Sequence, residues 1–362
     1  MRKKIGVMTG GGDCPGLNAV IRAVTKTAIG KYGHEVIGFR DGYRGLVKND
    51  YVNLSSANVS GILDRGGTIL GSSNRDNPFK FLIERNGVVE ERDMSERVIE
   101  NISVHEIDAM IFIGGDGTLT SARDFSRMGV KVIGVPKTID NDLSCTETTF
   151  GFMTAVDTAT EAIDKLHTTA ESHHRVMILE VMGRNAGWIA LHSGVAGGAD
   201  VILIPEIPYK LEFVIESLKK RVLSGKHFSI IVVAEGATQV GGEVVVNRVV
   251  ENSPDPVRLG GIGLKVANDI EVASGIETRV TVLGHLQRGG RPSAFDRVLS
   301  TRYGVAAVDM VEQGRFGQMI SLIGGEISCV PIEDAVGTIK IVERDGEMVR
   351  IAKSVGVSFG DE

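Results

Sequence analysis

The sequence predicts an α/β protein whose sheets are mostly parallel. Short apolar segments alternate with helical patterns from Lys4 to Gln313, and this alternation is typical of parallel strands covered by helices. Many of the segments end in glycine-rich loops, and 46 glycines against 9 prolines fit tight connections between strands and helices. The segments are too many for one small sheet, so we expect two domains, each a three-layer sandwich.

The composition bounds the class of protein. With 362 residues, of which 42% are hydrophobic, the chain has enough apolar material for one large or two medium domains. The net charge of −6 gives no broad basic surface, which argues against nucleic acid as a partner. Cys14, Cys145 and Cys329 form no disulfide or metal-binding spacing and favour a reducing, cytoplasmic compartment. No apolar segment approaches the roughly 20 residues of a membrane-spanning helix, so we expect no membrane partner.

The order of the elements follows from periodicity and turn residues. Apolar runs predict strands at 4–9, 35–39, 107–113, 130–135, 175–182, 200–205, 228–234 and 278–283. Helical spacing predicts helices at 17–32, 93–105, 119–128, 150–172, 188–196, 211–223 and 294–313, with one more inside 254–274 and a short one at 59–64. In the tail, 338–342 and 347–351 flank Asp345-Gly346 and predict a final hairpin.

Two motifs between residues 113 and 142 carry the chemistry. Ile-Gly-Gly-Asp-Gly-Thr at 113–118 and Pro-Lys-Thr-Ile-Asp-Asn-Asp at 136–142 each follow a predicted strand, and ligands bind at that edge of a parallel sheet. The glycines let the backbone approach a phosphate, and the following helix offers its N–H groups to an anion. Asp116 is best explained as a partner for a divalent cation, because a bare carboxylate would repel phosphate. With Asp140 and Asp142 on the second loop, the pair predicts phosphoryl transfer.

Two further loops fit a phosphate site. Gly-Gly-Gly-Asp-Cys-Pro-Gly at 10–16 lies between a strand and a helix, as in the first half of a βαβ unit. The segment 66–75 is rich in glycine and hydroxyl groups and ends in Arg75, which suits a phosphate neighbour. Taken alone, the first loop is also explained by tight packing and the second by a solvated surface arginine.

Together these loops resemble those of the phosphofructokinases, which phosphorylate fructose 6-phosphate at its 1-hydroxyl, the committed step of glycolysis. The resemblance lies in six motifs in the family's order: Gly-Gly-Gly-Asp at 10–13, Gly-Gly-Asp-Gly-Thr at 114–118, Pro-Lys-Thr-Ile-Asp-Asn-Asp at 136–142, Met-Gly-Arg at 182–184, Pro-Glu at 205–206 and Leu-Gly-His-Leu-Gln-Arg-Gly-Gly at 283–290. A single glycine loop is weak evidence, whereas six ordered motifs are specific. The tail after Gly324 carries no comparable motif.

The resemblance implies a fold of two Rossmann-like three-layer sandwich domains with the active site in the cleft between them. Residues 1–150 and about 287–337 are expected to hold the donor and Mg²⁺. Residues 151–286 and about 338–362 are expected to hold fructose 6-phosphate. The family is cytoplasmic and forms homo-oligomers, so a tetramer or dimer is expected.

On the donor side, the resemblance implies that Asp140 is the general base for the sugar hydroxyl and that Thr138 contacts the transferring group. Asp116 is implied as the Mg²⁺ contact. Arg75 is implied to stabilise charge on the moving phosphoryl group, and Asn74 aligns there if the loop differs by one residue. The implied donor-phosphate cradle consists of Gly12, Gly115, Gly117 and Thr118, and the implied catalytic set also includes Lys137 and Arg184.

On the sugar side, a phosphorylated sugar needs cations for its phosphate and a carboxylate for its hydroxyls. The residues implied to bind fructose 6-phosphate, besides Thr138 and Asp140, are Arg175, Met182, Gly183, Arg184, Glu235, Arg279, His285 and Arg288. In the family, the arginines matching Arg175 and Arg279 reach the sugar phosphate from a neighbouring subunit. Active sites shared between subunits are therefore expected.

The phosphoryl donor depends on two positions. Pyrophosphate-dependent members of the family carry aspartate where this chain has Gly117, and that carboxylate excludes ATP by filling the space of its α-phosphate and repelling it. Lys137, in contrast, is found in pyrophosphate enzymes and in one ATP-using branch. Exclusion by aspartate is the more decisive effect and is absent, so ATP is the predicted donor and pyrophosphate the alternative.

The family's effector site is only partly matched in this sequence. Arg22 is retained from the family's effector site, but Lys26 and Ser56 stand where further arginines are expected, so we expect little activation by ADP.

A relative of diacylglycerol or NAD kinases would share the Gly-Gly-Asp-Gly loop but would not need the sugar-phosphate arginines. A catalytically inactive paralogue is disfavoured by the intact Asp116, Thr138 and Asp140.

Overall fold

A computed structural model describes residues 2–85, 88–250 and 256–362. The chain divides into two compact units. The first unit comprises Met1–Thr138, Leu143–Met153 and Arg288–Thr338. The second unit comprises Ile139–Asp142, Thr154–Gln287 and Ile339–Glu362. The chain therefore passes between the units several times, once at the motif that carries Asp140.

The strands alternate with the helices along most of the chain, as predicted. The strands are β1 (Lys4–Thr9), β2 (Glu35–Phe39), β3 (Tyr51–Leu54), β4 (Phe81–Arg85), β5 (Val88–Arg92), β6 (Ala109–Gly114), β7 (Val132–Pro136), β8 (Val176–Val181), β9 (Val201–Leu203), β10 (Ser229–Ala234), β11 (Val246–Val249), β12 (Val257–Leu259), β13 (Thr278–Val282), β14 (Gln318–Ile323) and β15 (Glu326–Pro331).

The helices are α1 (Leu17–Tyr32), α2 (Tyr43–Lys48), α3 (Ser95–Val104), α4 (Asp116–Arg127), α5 (Phe152–His173), α6 (Trp188–Ala196), α7 (Leu211–Leu223), α8 (Ile262–Ser274), α9 (Ala294–Gln313), α10 (Ile332–Ala335) and α11 (Glu347–Ser354). A 3₁₀ turn spans Gly284–Arg288. Within the described ranges, no helix is both long and apolar enough to cross a bilayer.

The sheet of the first unit has the strand order β15-β14-β7-β6-β1-β2-β3. The five strands from β14 to β2 are parallel, and β3 and β15 pair antiparallel at the two edges. Every residue of β6 and β7 is buried, which fits strands covered by helices on both faces. The strand order reverses at β1, because β2 lies on one side and β6 on the other. Loops that leave β1 and β6 therefore open onto a crevice suited to a ligand.

The sheet of the second unit has the order β13-β8-β10-β9, and all its pairs are parallel. Strands β8 and β10 are fully buried, and their continuous apolar runs are what made them predictable. The two sheets confirm the predicted α/β class with mostly parallel strands.

Local signals explain the helix bounds. Helix α9 begins where the Ser293 side chain accepts a hydrogen bond from the Asp296 N–H, and it ends at Gly314 in the left-handed conformation, with φ 68°. Helix α1 ends in the same way at Gly33, and α1 packs against α9 in the first unit. Both helices have the predicted bounds.

Two predicted elements are wrong. Residues 59–64 form turns rather than a short helix. In the tail, residues 347–354 form α11, and 338–342 contain no strand. The pattern was misread because Val349 and Ala352, three residues apart, are the buried positions of one helical face. Helix α2 and the hairpins β4–β5, β11–β12 and β14–β15 were not predicted.

Candidate active site

In the first unit, the loops after β1 and β6 meet at the reversal of strand order. The Gly10 N–H donates to the Ile113 carbonyl at 2.9 Å, and the Gly11 N–H donates to the Ser73 carbonyl at 3.0 Å. The second bond brings in the segment 66–75, so three predicted phosphate loops lie side by side. Gly11 adopts φ 77°, a conformation that only glycine takes without cost.

Two cations lie against the backbone of the first loop. Lys137 is buried, and its ammonium group donates a hydrogen bond to the Gly12 carbonyl. Arg288 donates to the Asp13 carbonyl at 3.3 Å, and a Cβ added to Gly12 would lie 2.6 Å from the Arg288 Nη1. A side chain at position 12 would therefore displace the guanidinium. Two cations beside a glycine loop form a surface suited to a phosphate.

Cys14 lies in the same loop and is fully buried. Burial raises the pKa of its thiol to about 12, against the opposing effect of the Lys137 ammonium. The thiol stays protonated near neutral pH, so we assign Cys14 no role as a nucleophile.

The first turn of α4 carries the second set of predicted residues. Asp116 opens the helix, and its Oδ1 accepts a hydrogen bond from the Gly337 N–H at 2.8 Å. Thr118 is buried, and its carbonyl accepts the Tyr43 hydroxyl at 2.8 Å, which fixes the turn. A Cβ at Gly117 would meet no described atom within 4 Å outside its own turn, so this position faces open space.

The donor set suits Mg²⁺ held in part by substrate. Among the described residues, no cluster of three or more histidine, cysteine or acidic side chains is arranged to hold a metal ion. Mg²⁺ is commonly bound by one or two carboxylates together with substrate phosphates and water. Asp116 stands at the start of a helix beside the glycine loops, so a single carboxylate adjacent to a phosphate site is present.

Arg75 is exposed beside the glycine loops. Its backbone N–H donates to the Ser73 Oγ at 3.2 Å, and the Ser73 carbonyl is bonded to Gly11. The neighbouring Asn74 is exposed as well. Arg75 stays our prediction for the phosphoryl contact because a neutral amide cannot offset negative charge.

In the second unit, three strands deliver predicted residues to one carboxyl edge. Met182, Gly183 and Arg184 follow β8, Glu235 follows β10, and His285 follows β13. The Gly236 N–H donates to the Gly183 carbonyl at 3.1 Å. A Cβ at Gly236 would lie 2.0 Å from the Arg184 carbonyl oxygen, so only glycine permits this approach of the two loops.

Gln287 links the loop that follows β13 to this edge. Its Oε1 accepts the Met182 N–H at 2.8 Å, and the side chain is completely buried. The Arg184 guanidinium donates to the Val257 carbonyl at 2.9 Å, which anchors it to the first residue of β12. His285 is exposed on the 3₁₀ turn. The edge thus presents a guanidinium, a carboxylate and an imidazole on loops held by backbone hydrogen bonds.

Arg175 and Arg279 lie at the opposite end of the same sheet. Arg175 precedes β8, and Arg279 pairs in register with Met177 near the start of that strand. At about 3.3 Å per residue, Arg175 stands roughly 20 Å and Arg279 roughly 13 Å from the end of β8, where the edge that carries Arg184 begins. The structure therefore does not bring these two arginines to the carboxyl edge of their own chain.

Glu277 joins the two arginines. Its Oε1 lies 3.0 Å from an Arg175 nitrogen and also pairs with the Arg279 guanidinium. The hydrogen bond from Arg175 lowers the pKa of the Glu277 carboxyl, with Arg279 adding to the effect. The two arginines form one cationic patch, with the Glu277 carboxylate paired to both.

The motif at 136–142 is divided between the units. The Thr138 carbonyl accepts the Thr149 hydroxyl at 2.7 Å in the first unit. Asp140 belongs to the second unit, and the next residue, Asn141, adopts φ 52°. A left-handed asparagine makes the sharp turn that follows the aspartate.

Sequence reasoning gave no role to Gln287, Glu277 or Lys340, which contact the predicted residues. Gln287 lies inside a motif that was recognised, but its hydrogen bond to Met182 is visible only in the fold. Lys340 lies in the tail, where no motif gave a signal.

Known proteins resemble this chain over nearly its full length. The family model described as phosphofructokinase matches residues 4–311. A Clostridium perfringens protein named ATP-dependent 6-phosphofructokinase 2 is 61% identical over 361 residues, 99% of each chain. A Streptomyces coelicolor protein named pyrophosphate–fructose 6-phosphate 1-phosphotransferase is 52% identical, over 99% of this chain and 100% of that protein. The solved phosphofructokinase of Saccharomyces cerevisiae aligns with a TM-score of 0.79 and 32% identity, over 98% of this chain and 46% of the yeast chain.

Proposed function

Because this chain belongs to the phosphofructokinase family, we propose that it transfers the terminal phosphoryl group of ATP to the 1-hydroxyl of fructose 6-phosphate. The products are fructose 1,6-bisphosphate and ADP. The observation that carries the proposal is the chemistry of the first unit, where three phosphate-type loops converge beside Lys137, Arg288 and Asp116. The activity is that of a glycolytic enzyme of the cytoplasm.

ATP is favoured as the donor by the open space at Gly117. An α-phosphate can occupy this space, whereas an aspartate at the same position would repel it. The name of the Clostridium relative, which is 61% identical, supports the same choice. Pyrophosphate is kept as the alternative, because Lys137 lies at the Gly12 carbonyl and the Streptomyces relative, at 52% identity, is named for pyrophosphate.

In the proposed mechanism, Asp140 accepts the proton of the 1-hydroxyl as its oxygen attacks the terminal phosphorus. The bond from that phosphorus to the bridging oxygen breaks, and ADP leaves. Arg75 and Lys137 offset the negative charge on the transferring and leaving phosphates, while Thr138 contacts the transferring group. Bound through Asp116, Mg²⁺ would neutralise phosphate charge and hold the donor in one orientation.

The carboxyl edge of the second sheet is proposed to bind the sugar. Glu235 accepts hydrogen bonds from the sugar hydroxyls, and Arg184 and His285 donate to its oxygens. Met182 and Gly183 provide the backbone of this edge. Arg288, which belongs to the first unit and donates to the Asp13 carbonyl, is proposed to contact the sugar substrate as well. Arg175 and Arg279 lie roughly 20 Å and 13 Å away by strand length, so we propose that they serve the sugar phosphate of a neighbouring subunit in a homo-oligomer.

The test combines the protein with ATP, Mg²⁺ and fructose 6-phosphate and follows the product by phosphorus NMR. The expected product is a sugar with phosphates on both carbon 1 and carbon 6. Asp140→Asn, which keeps the shape but removes the base, is the matched control and is expected to lose at least about 100-fold in kcat. Equal background rates for both proteins would support an inactive paralogue.

A further inference from the structure

The segment Ile339–Val342 follows α10 and is tied to the second unit by its backbone. The Lys340 N–H donates to the Asp142 carbonyl at 2.9 Å. The Lys340 carbonyl accepts the Trp188 Nε1–H at 2.9 Å. Two residues on, the Val342 N–H donates to the Glu206 Oε1 at 2.8 Å. This segment lies outside the six recognised motifs, although it contacts two of them directly, at Asp142 and at Glu206.

The Lys340 side chain reaches the turn after Asp140. Its Nζ donates to the Asn141 Oδ1 at 3.0 Å, and its ammonium lies 5.6 Å from the centre of the Trp188 ring. Lys340 is half-buried, so its charge is shielded from bulk water only in part. Through one side-chain bond and one backbone bond, Lys340 holds both residues that follow the proposed base.

Asn141 needs such support. Its φ of 52° lies in the left-handed region, which asparagine adopts more readily than most residues but less freely than glycine. A strained conformation persists only where the surroundings enforce it. Here the side chain of the strained residue and the carbonyl of the next one are both bonded to Lys340. We expect loss of the side-chain bond to loosen this turn and, with it, the direction of Asp140.

We propose that Lys340 is a positioning residue for phosphoryl transfer, which holds the turn 140–142 in the conformation that presents Asp140 to the sugar hydroxyl. The inference rests on the proposed function, since it assigns Asp140 the role of base. Lys340 acts through Asn141 and not on the reacting atoms, so its contribution is to orientation. Small errors in the placement of a base cost large factors in rate.

The first experiment measures kcat and KM of Lys340→Met, which keeps an unbranched chain over Trp188 but removes the donor. We expect kcat to fall about tenfold while KM for ATP stays within about twofold, because the donor loops are untouched. Lys340→Arg retains a donor and should recover most of the rate. Lys353→Met is the matched control, because Lys353 pairs with Asp361 and Glu362 away from the turn, and it should match wild type.

The second experiment repeats Lys340→Met in an Asn141→Gly background. Glycine adopts the left-handed conformation without strain and has no side chain for Lys340 to hold. If Lys340 acts by enforcing the turn, Lys340→Met should cost less than about twofold there. A full tenfold loss in both backgrounds, a wild-type kcat for Lys340→Met, or a loss confined to KM for ATP would each overturn the inference.

Trp188 provides a readout that does not depend on activity, since it is the single tryptophan of the chain. The hydrogen bond from the Trp188 side chain to the Lys340 carbonyl survives the substitution. The emission maximum of Lys340→Met should therefore stay well short of that of the unfolded protein, although loss of the ammonium 5.6 Å from the ring centre alters the intensity. A loss of kcat then reflects the turn and not detachment of the segment. If the wild-type protein turned over neither ATP nor pyrophosphate, the proposed function would fail. The Trp188 emission would still report whether the segment 339–342 is bound in its place.

Discussion

Replacing Gly117 with aspartate tests whether ATP is the phosphoryl donor, because the new carboxylate should repel the α-phosphate of ATP. Gly117 lies in the first turn of α4, where any residue adopts the backbone conformation. Among the described residues, no atom outside that turn comes within 4 Å of a Cβ at this position. The new side chain therefore has room, and the fold should tolerate it with little loss of stability.

The size of the effect follows from Coulomb's law. A carboxylate about 5 Å from one negative charge, at an effective dielectric constant of about 20, raises the energy by about 3 kcal/mol. This corresponds to roughly a 200-fold weaker interaction with ATP. Pyrophosphate has no α-phosphate or nucleoside to fill the same space, so its use should change far less.

The assay measures kcat/KM for ATP and for pyrophosphate in wild type, Gly117→Asp and Gly117→Asn. Asparagine has nearly the same volume without the charge, so it isolates the electrostatic effect. We expect Gly117→Asp to lose at least about 100-fold with ATP and Gly117→Asn to lose less than about tenfold. Equal losses for the two variants would refute the charge argument, and an unchanged kcat/KM for ATP in Gly117→Asp would refute the placement of the donor.

Three further predictions concern other parts of the molecule. A thiol reagent at pH 7–8 should label Cys145 and Cys329 while Cys14 reacts only after unfolding, because burial raises its pKa to about 12; rapid labelling of Cys14 in the native protein would contradict this. Glu180→Ala should lower the free energy of unfolding in urea by about 2–4 kcal/mol, because the buried carboxylate accepts the Gly261 and Gly263 N–H groups at the start of α8; an unchanged midpoint would count against it. Subunit exchange between Asp140→Asn and Arg279→Ala should restore up to about a quarter of wild-type activity if sites are shared, and no recovery would favour sites within one chain.

The parts of the fold that the sequence predicted are those set by local patterns. Buried parallel strands are continuous apolar runs, so β1 and β8 were predictable, and helices α1 and α9 have a left-handed glycine at their ends. The tail was not predictable in the same way, because an eight-residue helix with two buried positions resembles a strand over five residues. Short edge strands such as β3 carry too few residues for a pattern.

In the candidate site, too, the features set by local sequence were predictable and the long-range contacts were not. The glycine loops that follow strands were predictable from the sequence, since their spacing reflects a backbone that must approach a ligand or another loop. The residues that hold these loops in place were not predictable, because Lys340 and Asn141 are 199 residues apart in sequence and Gln287 and Met182 are 105 apart. Contacts at that separation depend on the whole fold and leave no local signal. Glu277 shows the same limit in part: Arg279 is its near neighbour in sequence, but the pairing with Arg175, which precedes β8, leaves no local signal.

The central claim is most directly tested by steady-state turnover of the wild-type protein with each donor in turn. Fructose 6-phosphate and Mg²⁺ are held constant, and formation of fructose 1,6-bisphosphate is measured with ATP or with pyrophosphate. The open space at Gly117 predicts turnover with ATP that exceeds turnover with pyrophosphate. Turnover with pyrophosphate and none with ATP would contradict the account.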